Sequence, residues 1–297
     1  MNWENFLEKN YKKMLVAPFI LLILGLIIVG NFFIKNNELF HRDVSLKGGV
    51  SATIYDENID SAGLEKFLEE KLNTDVFVRN LKDFGSNKKI GVIVEIGENI
   101  SNDLREGIEE FTKITLTQEN FSIEEVGSSL GESFYNGFLK AILIAFVLMG
   151  VVIFVAFRSF VPSAAVLLSA FLDILIPMAI IDLAGVKINT AGIAAFLLVI
   201  GYSVDTDILL TVKVLKRKEG NVFERIIDSA KTGLTMTITT IVALTIAYFV
   251  TSSLVLKQVF MIIVLALLVD IISTYFMNSG ILIWHTKRKG QDEKFWG

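Results

Sequence analysis

Cysteine is absent from the 297 residues, which excludes disulfides, thiol nucleophiles and thiolate zinc sites. Histidine is nearly absent too. Only His41 and His285 are available as nitrogen ligands, so neither a metal site nor another cofactor is expected. Charge of one sign is also lacking: the formal net charge is −4, and the lysines and arginines gather beside apolar runs instead of forming a basic patch. Nucleic acid is therefore not an expected partner. Charged residues make up 20% of the chain and hydrophobic ones 53%, too apolar for a soluble domain of this length, so the membrane is the expected solvent.

A helix needs about 20 apolar residues to cross the hydrocarbon core, and six stretches provide them: 15–34, 138–157, 161–183, 188–212, 233–252 and 259–284. The first follows Lys9, Lys12 and Lys13 as in a signal peptide, but it has no small-residue cleavage site and reads as a retained anchor. Phe157 to Phe160 is all that separates the second and third stretches, so they form a tight hairpin. Basic residues fix the orientation, because Lys and Arg are retained in the cytoplasm. With the N-terminus inside, Lys9, Lys12, Lys13, Arg158, Lys213, Lys216, Arg217, Lys218, Arg225, Lys231, Lys287, Arg288, Lys289 and Lys294 are all inside, and only Lys187 and Lys257 fall in short outer loops. Both termini are thus expected in the cytoplasm of a multi-pass cell-membrane protein. The organisation predicted is an N-terminus and first helix over 1–35, an extracytoplasmic domain over 36–134, helices two to six over 135–285 and a tail over 286–297.

The polar segment between the first two spans alternates two periodicities. Val50, Ala52 and Ile54 mark a half-buried strand, and Leu64, Phe67, Leu68 and Leu72 a helix face. Val76 to Leu81 and Ile90 to Ile96 are further strands around the turn Asp83 to Asn87. Leu104, Ile108 and Phe111 repeat at helical spacing after Ser101, a candidate N-cap, and Phe121 to Val126 closes the set. Strand, helix, strand, strand, helix, strand is the split βαβ order of ferredoxin-like α+β domains. Val222 to Asp228 carries Val222, Phe223, Ile226 and Ile227 on one side, which suits either a helix in the cytoplasmic interface or an ordinary loop helix.

Acids inside a bilayer cost about 2.5 kcal/mol or more at a helix centre and need an explanation. Four lie within the spans: Asp173 and Asp270 near the midplane, Asp205 on its cytoplasmic side and Asp207 nearer the interface, where it can snorkel to water. Asp182, at a span end, is expected to be solvated. No lysine or arginine lies well inside a span, so a buried carboxylate there would be desolvated without a counter-ion, a group suited to taking up and releasing protons or to a purely structural hydrogen bond. Asp205 leads this reading. Gly201 lies one turn before it, where another helix can approach closely, and Thr235, Thr237, Thr239 and Thr240 in the fifth span offer hydroxyls opposite. Threonines in membrane helices also commonly bond their own backbone.

The run Ala194-Ala195-Phe196-Leu197-Leu198-Val199-Ile200-Gly201-Tyr202-Ser203-Val204-Asp205 resembles the fourth-span motif of the SecF family, which belongs to the resistance-nodulation-division superfamily. Gly48 and Gly49 in Val44 to Gly49, Gly127 and Gly131 in Val126 to Gly131, Asp173, and Thr237 to Thr240 extend the resemblance over nearly the whole chain. It departs where bacterial members have Asn-Asp-Thr: this chain has Asp205-Thr206-Asp207, so either acid can be the essential one. Lys231 stands nearest to the family's fifth-span arginine, Ser45 replaces an Asp, Leu172 a His and Ser128 a Pro, drift that points to a distant, archaeal-like branch. The resemblance implies a SecF-type accessory subunit of the Sec translocase. Such a subunit pairs with a SecD-like subunit beside a SecYEG-type channel and uses an ion gradient, such as the proton motive force, to promote export of the translocating polypeptide.

No bond is made or broken in that reading, so no catalytic residue is expected. Two alternatives keep the topology: a half-size exporter of lipids or small molecules, for which a domain of about 100 residues is small, and an assembly factor whose acids serve only helix packing. An intramembrane aspartyl protease needs two acids on neighbouring spans, yet Asp205 follows Tyr202-Ser203-Val204 and not a Gly-x-Gly signature.

Overall fold

The computed structural model describes residues 10–82, 88–97, 100–217, 219–251 and 253–288. The turn Asp83 to Asn87, together with Lys9, Lys218, Lys289 and Lys294, lies outside the described residues. Among the described residues, six helices are long and apolar enough to cross a membrane: Asn10–Asn36, Ser129–Phe157, Phe160–Leu183, Thr190–Lys216, Val222–Val250 and Val255–Arg288. With its single sheet domain, this is the multi-pass helical fold with a split βαβ domain between the first two spans that the patterning predicts.

The first span is α1 (Val16–Asn36), whose last turn stops at Asn37 in the left-handed region. A one-turn helix α2 (Val44–Lys47) leads into β1 (Gly49–Ile54), followed by α3 (Ser61–Leu72), β2 (Val76–Lys82), β3 (Lys89–Ile96), α4 (Ser101–Thr112) and β4 (Phe121–Val126). All pairings are antiparallel in the order β2-β3-β1-β4. Val50, Ala52 and Ile54 turn one face of β1 onto Leu64 and Leu68 of α3 and onto Leu104 and Ile108 of α4, all buried in one core. Phe67, Leu72 and Phe111 pack at its edge. Ser101 is the first residue of α4 and not its cap; the boundary residue is Ile100, which provides no side-chain bond to the free amides.

The second span belongs to α5 (Ser128–Phe157), which starts ten residues before the predicted apolar stretch. Its first turns are polar because they stand beside the sheet domain, so hydropathy alone places the start too late. Gly131 in those turns lies against the loop below β1: a Cβ there would come within 2.8 Å of the Gly48 nitrogen. Gly49 has φ 122°, and a Cβ would meet the Ile96 carbonyl at 2.1 Å, so only glycine opens β1. Gly131 and Gly48 thus meet where the domain joins the second span, while Gly49 packs within the sheet. Gly127 has open space around it.

The third span is α6 (Phe160–Leu183), the fourth α7 (Thr190–Lys216), the fifth α8 (Val222–Val250), and the sixth α9 (Leu254–Ile272), a wide π turn (Ser273–Asn278) and α10 (Ser279–Arg288). Val222 to Asp228 is neither an interfacial nor a loop helix. It forms the first two turns of α8, started by a capping box between Asn221 and Glu224. The central helix is α6: 72% of its most apolar stretch is buried, against 11–17% for the first, second and fifth spans. Pro177 sits inside it and takes away the amide that would bond the Asp173 carbonyl.

The sheet domain is fastened to the spans through the α6–α7 loop. Asp43 N–H donates to the Ile188 carbonyl (3.0 Å) and Ile188 N–H to the His41 carbonyl (2.7 Å). His41 N–H donates to Asp182 Oδ1 at 3.2 Å. Asp182 is therefore not a solvated span end; it is 8% exposed because the loop above it uses the carboxylate as a backbone acceptor.

Candidate functional site

Three acidic side chains meet inside the helical bundle. Asp173 from α6, Asp207 from α7 and Asp270 from α9 are each at most 1% exposed. Hydroxyls and one amide join them. Ser203 donates to Asp173 Oδ2, and Ser273 Oγ to Asp173 Oδ1 at 2.6 Å. The Thr206 hydroxyl lies 3.1 Å from both oxygens of Asp270. The Thr274 hydroxyl lies between two acids, 3.0 Å from Asp207 Oδ1 and 3.1 Å from Asp270 Oδ1. Asn278 Nδ2 donates to Asp207 Oδ1 at 2.7 Å.

The local fold explains this meeting. Ser203, Thr206 and Asp207 lie on one face of α7, at i, i+3 and i+4. Asp270 precedes the π turn, which supplies Ser273, Thr274 and Asn278; such a turn shifts the helix face and recurs at functional sites. None of the salt bridges among the described residues reaches the cluster. One proton on Thr274 cannot serve two carboxylates at once, so the network couples the states of Asp207 and Asp270.

The two acids of the fourth span change places relative to expectation. Asp207 is fully buried in the cluster and does not snorkel to water, whereas Asp205 is exposed on the surface of the chain. Two residues are about 200° apart on a helix, so the rotation of α7 that buries one exposes the other. Gly201 lies on the exposed side, and among the described residues nothing stands within 4 Å of where a Cβ would be, so no described helix packs onto it. Tyr202 binds the Thr240 hydroxyl at 2.7 Å. The threonines do not form one face toward Asp205: Thr237 points into the bundle, while Thr235 and Thr239 are exposed and bond the backbone one turn earlier.

Sequence reasoning assigned Ser203 but missed Thr206, Ser273, Thr274 and Asn278. A signal for three of these was present: 270, 273, 274 and 278 are spaced by 3, 4 and 8 on an otherwise apolar helix, one polar stripe aimed inward.

Six spans, one split βαβ domain at one membrane face and a buried acidic network inside the bundle define a polytopic membrane protein with a polar centre. The model of the family described as "Protein export membrane protein SecD/SecF, C-terminal" matches residues 106–288. The protein-export membrane protein SecF of Pyrococcus furiosus is 33% identical over 96% of this chain and 95% of its own length. That of Methanocaldococcus jannaschii is 35% identical over 93% and 96%. The chain belongs to the SecF family. In fold it is similar to SecDF from Thermus thermophilus, a translocon-associated membrane protein, with TM-score 0.75, 21% identity and 97% of this chain covered. The match takes up 39% of that longer chain.

Proposed function

We propose that the chain is a SecF-type accessory subunit of the protein-export machinery, driven by an ion gradient and paired with a SecD-like subunit. The observation that carries this reading is the meeting of Asp173, Asp207 and Asp270, from three spans, in one buried network that no basic side chain among the described residues reaches. Three ionised carboxylates there would leave a large uncompensated charge in low dielectric, so protons or a small cation must offset them. A site whose charge follows ion occupancy, held by hydroxyls shared between helices, can convert ion passage into helix movement. Asp207 is the leading relay residue, with Asp270 coupled through Thr274.

The partner reading rests on the exposed side of α7. Ala194, Leu198, Gly201 and Asp205 line it, and lipid tails offer no hydrogen bond to a carboxyl. A second helical bundle covering this side would provide one, and the solved SecDF chain is more than twice as long as the matched part. Family likeness further suggests a SecYEG-type channel and the emerging polypeptide as partners. The basic residues favour cytoplasmic termini, with the sheet domain outside the cell membrane. No bond is broken in this cycle, so the chain acts as a transport device and not as an enzyme.

The test is secretion of a reporter, with the ion gradient intact and then collapsed, at matched membrane levels. Asp207→Asn is expected to abolish the gradient-dependent part and Asp207→Glu to retain some of it. Full gradient-dependent export by Asp207→Asn, Asp173→Asn and Asp270→Asn alike would show the acids to be structural.

A further inference from the structure

The first and second spans both rest on the third and leave a groove between them, a cavity of about 330 Å³. Leu26 and Phe33 of α1 form one wall, Ile142 and Phe146 of α5 the other, and Leu175 and Met178 of α6 the floor. No residue lining it has a polar side chain. Two glycines of α1 show how the groove arises. A Cβ at Gly25 would come within 3.0 Å of Leu175 and Ile176 side chains, so α1 packs tightly on α6 there, whereas a Cβ at Gly30, in the groove wall, would meet nothing within 4 Å. The rings of Phe146 and Phe171 meet edge to face at 6.3 Å and close the inner end. Leu39, in the connection from α1 to the sheet domain, lies at the outer end, where its N–H donates to the Tyr135 hydroxyl of α5 at 3.1 Å.

Three properties of the groove narrow its occupant. Water needs two to four polar partners to stay in such a space, and the lining offers none, so the groove takes hydrocarbon. Its section then separates a lipid chain from a helix: spread over about 10 Å of helix rise, the volume leaves about 33 Å², enough for one hydrocarbon chain and under half of what a helix about 10 Å across would need. Its depth comes next. By helical rise the lining residues lie from about 5 to 18 Å below the helix ends on the sheet-domain side, so the groove falls in the leaflet on that side of a hydrocarbon core about 30 Å thick. Lys35, two residues above Phe33 on α1, and Lys140, two residues above Ile142 on α5, are exposed at the groove's mouth. Neither is in a salt bridge among the described residues. Long basic side chains at this depth reach the headgroup layer and attract negative charge.

We propose that the groove between α1 and α5 is a binding site for one hydrocarbon chain of an anionic phospholipid, taken from the leaflet beside the sheet domain, with Lys35 and Lys140 facing its headgroup. The chain would fill the space that α1 and α5 leave over α6, directly below the Leu39–Tyr135 contact that ties the connection into the sheet domain to the second span. The site is independent of the acidic network and of the side of α7 assigned to a partner.

Two measurements on the full chain in mild detergent test the site. In native mass spectrometry with added phosphatidylglycerol, the wild type should retain one lipid through detergent washing, and phosphatidylcholine with the same chains should be retained less. Gly30→Phe puts a ring into the groove and should lower retention by about tenfold, while Ile246→Phe, on the exposed side of α8, should leave it unchanged. Lys35→Gln combined with Lys140→Gln should erase the preference for phosphatidylglycerol. Retention of neither lipid, or equal retention by the wild type and Gly30→Phe, overturns the site; equal retention of the two lipids by the wild type overturns the headgroup assignment. The second measurement needs no variant. Phosphatidylglycerol with a photoreactive diazirine at mid-chain should label Leu26, Phe146 and Phe171 of the wild type in preference to Ile238 and Ile246, which are exposed on α8. Equal labelling of both sets would mean that lipid only coats the bundle, and loss of the groove labelling on assembly with a six-span partner would mean that a partner helix fills the groove; either result overturns the proposal.

Discussion

Lys187 on the loop between the third and fourth spans donates to Glu95 on β3 at 2.5 Å, joining two residues 92 positions apart and the sheet domain to the membrane bundle. Glu95 is 3% exposed and also pairs with Arg79 at 2.9 Å, while the Lys187 ammonium lies 3.9 Å from the centre of the Phe77 ring. Two cations face this buried carboxylate and offset the cost of taking it out of water. If the domain swings during export, this pair must break and re-form.

Lys187→Ala is expected to loosen the domain more than the double variant with Glu95→Gln. Removing one member of a fully buried pair typically costs about 3–5 kcal/mol; the cost is smaller here because Lys187 is itself 26% exposed. Hydrogen exchange of β3 and of residues 186–190 would report it. Unchanged exchange in Lys187→Ala would show that the backbone bonds of Ile188 hold the domain alone.

Asp43 gives the same junction a pH dependence. Burial, and secondarily the neighbouring Glu95, raise its pKa above the ordinary value of 3.8. The folded state therefore holds the proton more tightly than the unfolded chain. The stabilisation is complete below the ordinary value and is lost as pH climbs through the raised one. Asp43→Asn should stabilise the protein at neutral pH and flatten its thermal stability across the mildly acidic range. A variant with the wild-type pH profile would remove Asp43 from this role.

Gly131→Ala should lower stability by about 1–3 kcal/mol, the usual cost of overpacking. The added methyl would come within 2.8–2.9 Å of the backbone at Leu46 and Gly48, which cannot rotate away as a side chain can. Gly127→Ala, in open space, should cost far less. Melting temperatures of the two variants in the same detergent make the comparison; equal losses would contradict the packing.

The chain has no cysteine, so single introduced thiols report orientation cleanly. Glu119→Cys, exposed between α4 and β4, should react with an impermeant reagent in intact cells, and Glu219→Cys, exposed between the fourth and fifth spans, should be protected. The opposite pattern would invert the topology.

Solvent choice and local periodicity were legible in the residues themselves. Runs of about 20 apolar residues can be stable only in lipid, and alternation of two or of 3.6 residues reports which side of a strand or helix is covered. Hence the six spans, the strand order and the core of Val50, Ile54, Leu64 and Ile108 follow from the chain alone. So did the presence of acids at membrane depth. Which acid faces inward did not follow. The fourth span carries a polar stripe at Ser203, Thr206, Asp207 and Thr211, but Tyr202 and Asp205 make another side polar as well, and a rotation of about 200° separates Asp205 from Asp207. Only the packing of α7 against α6 and α9 fixes that rotation, burying Asp207 with Asp270 and Asn278 and leaving Asp205 outside. The π turn at Ser273–Asn278 is likewise a tertiary decision: its wider turn brings Ser273, Thr274 and Asn278 to acids on other helices, contacts that a single helix considered alone does not contain.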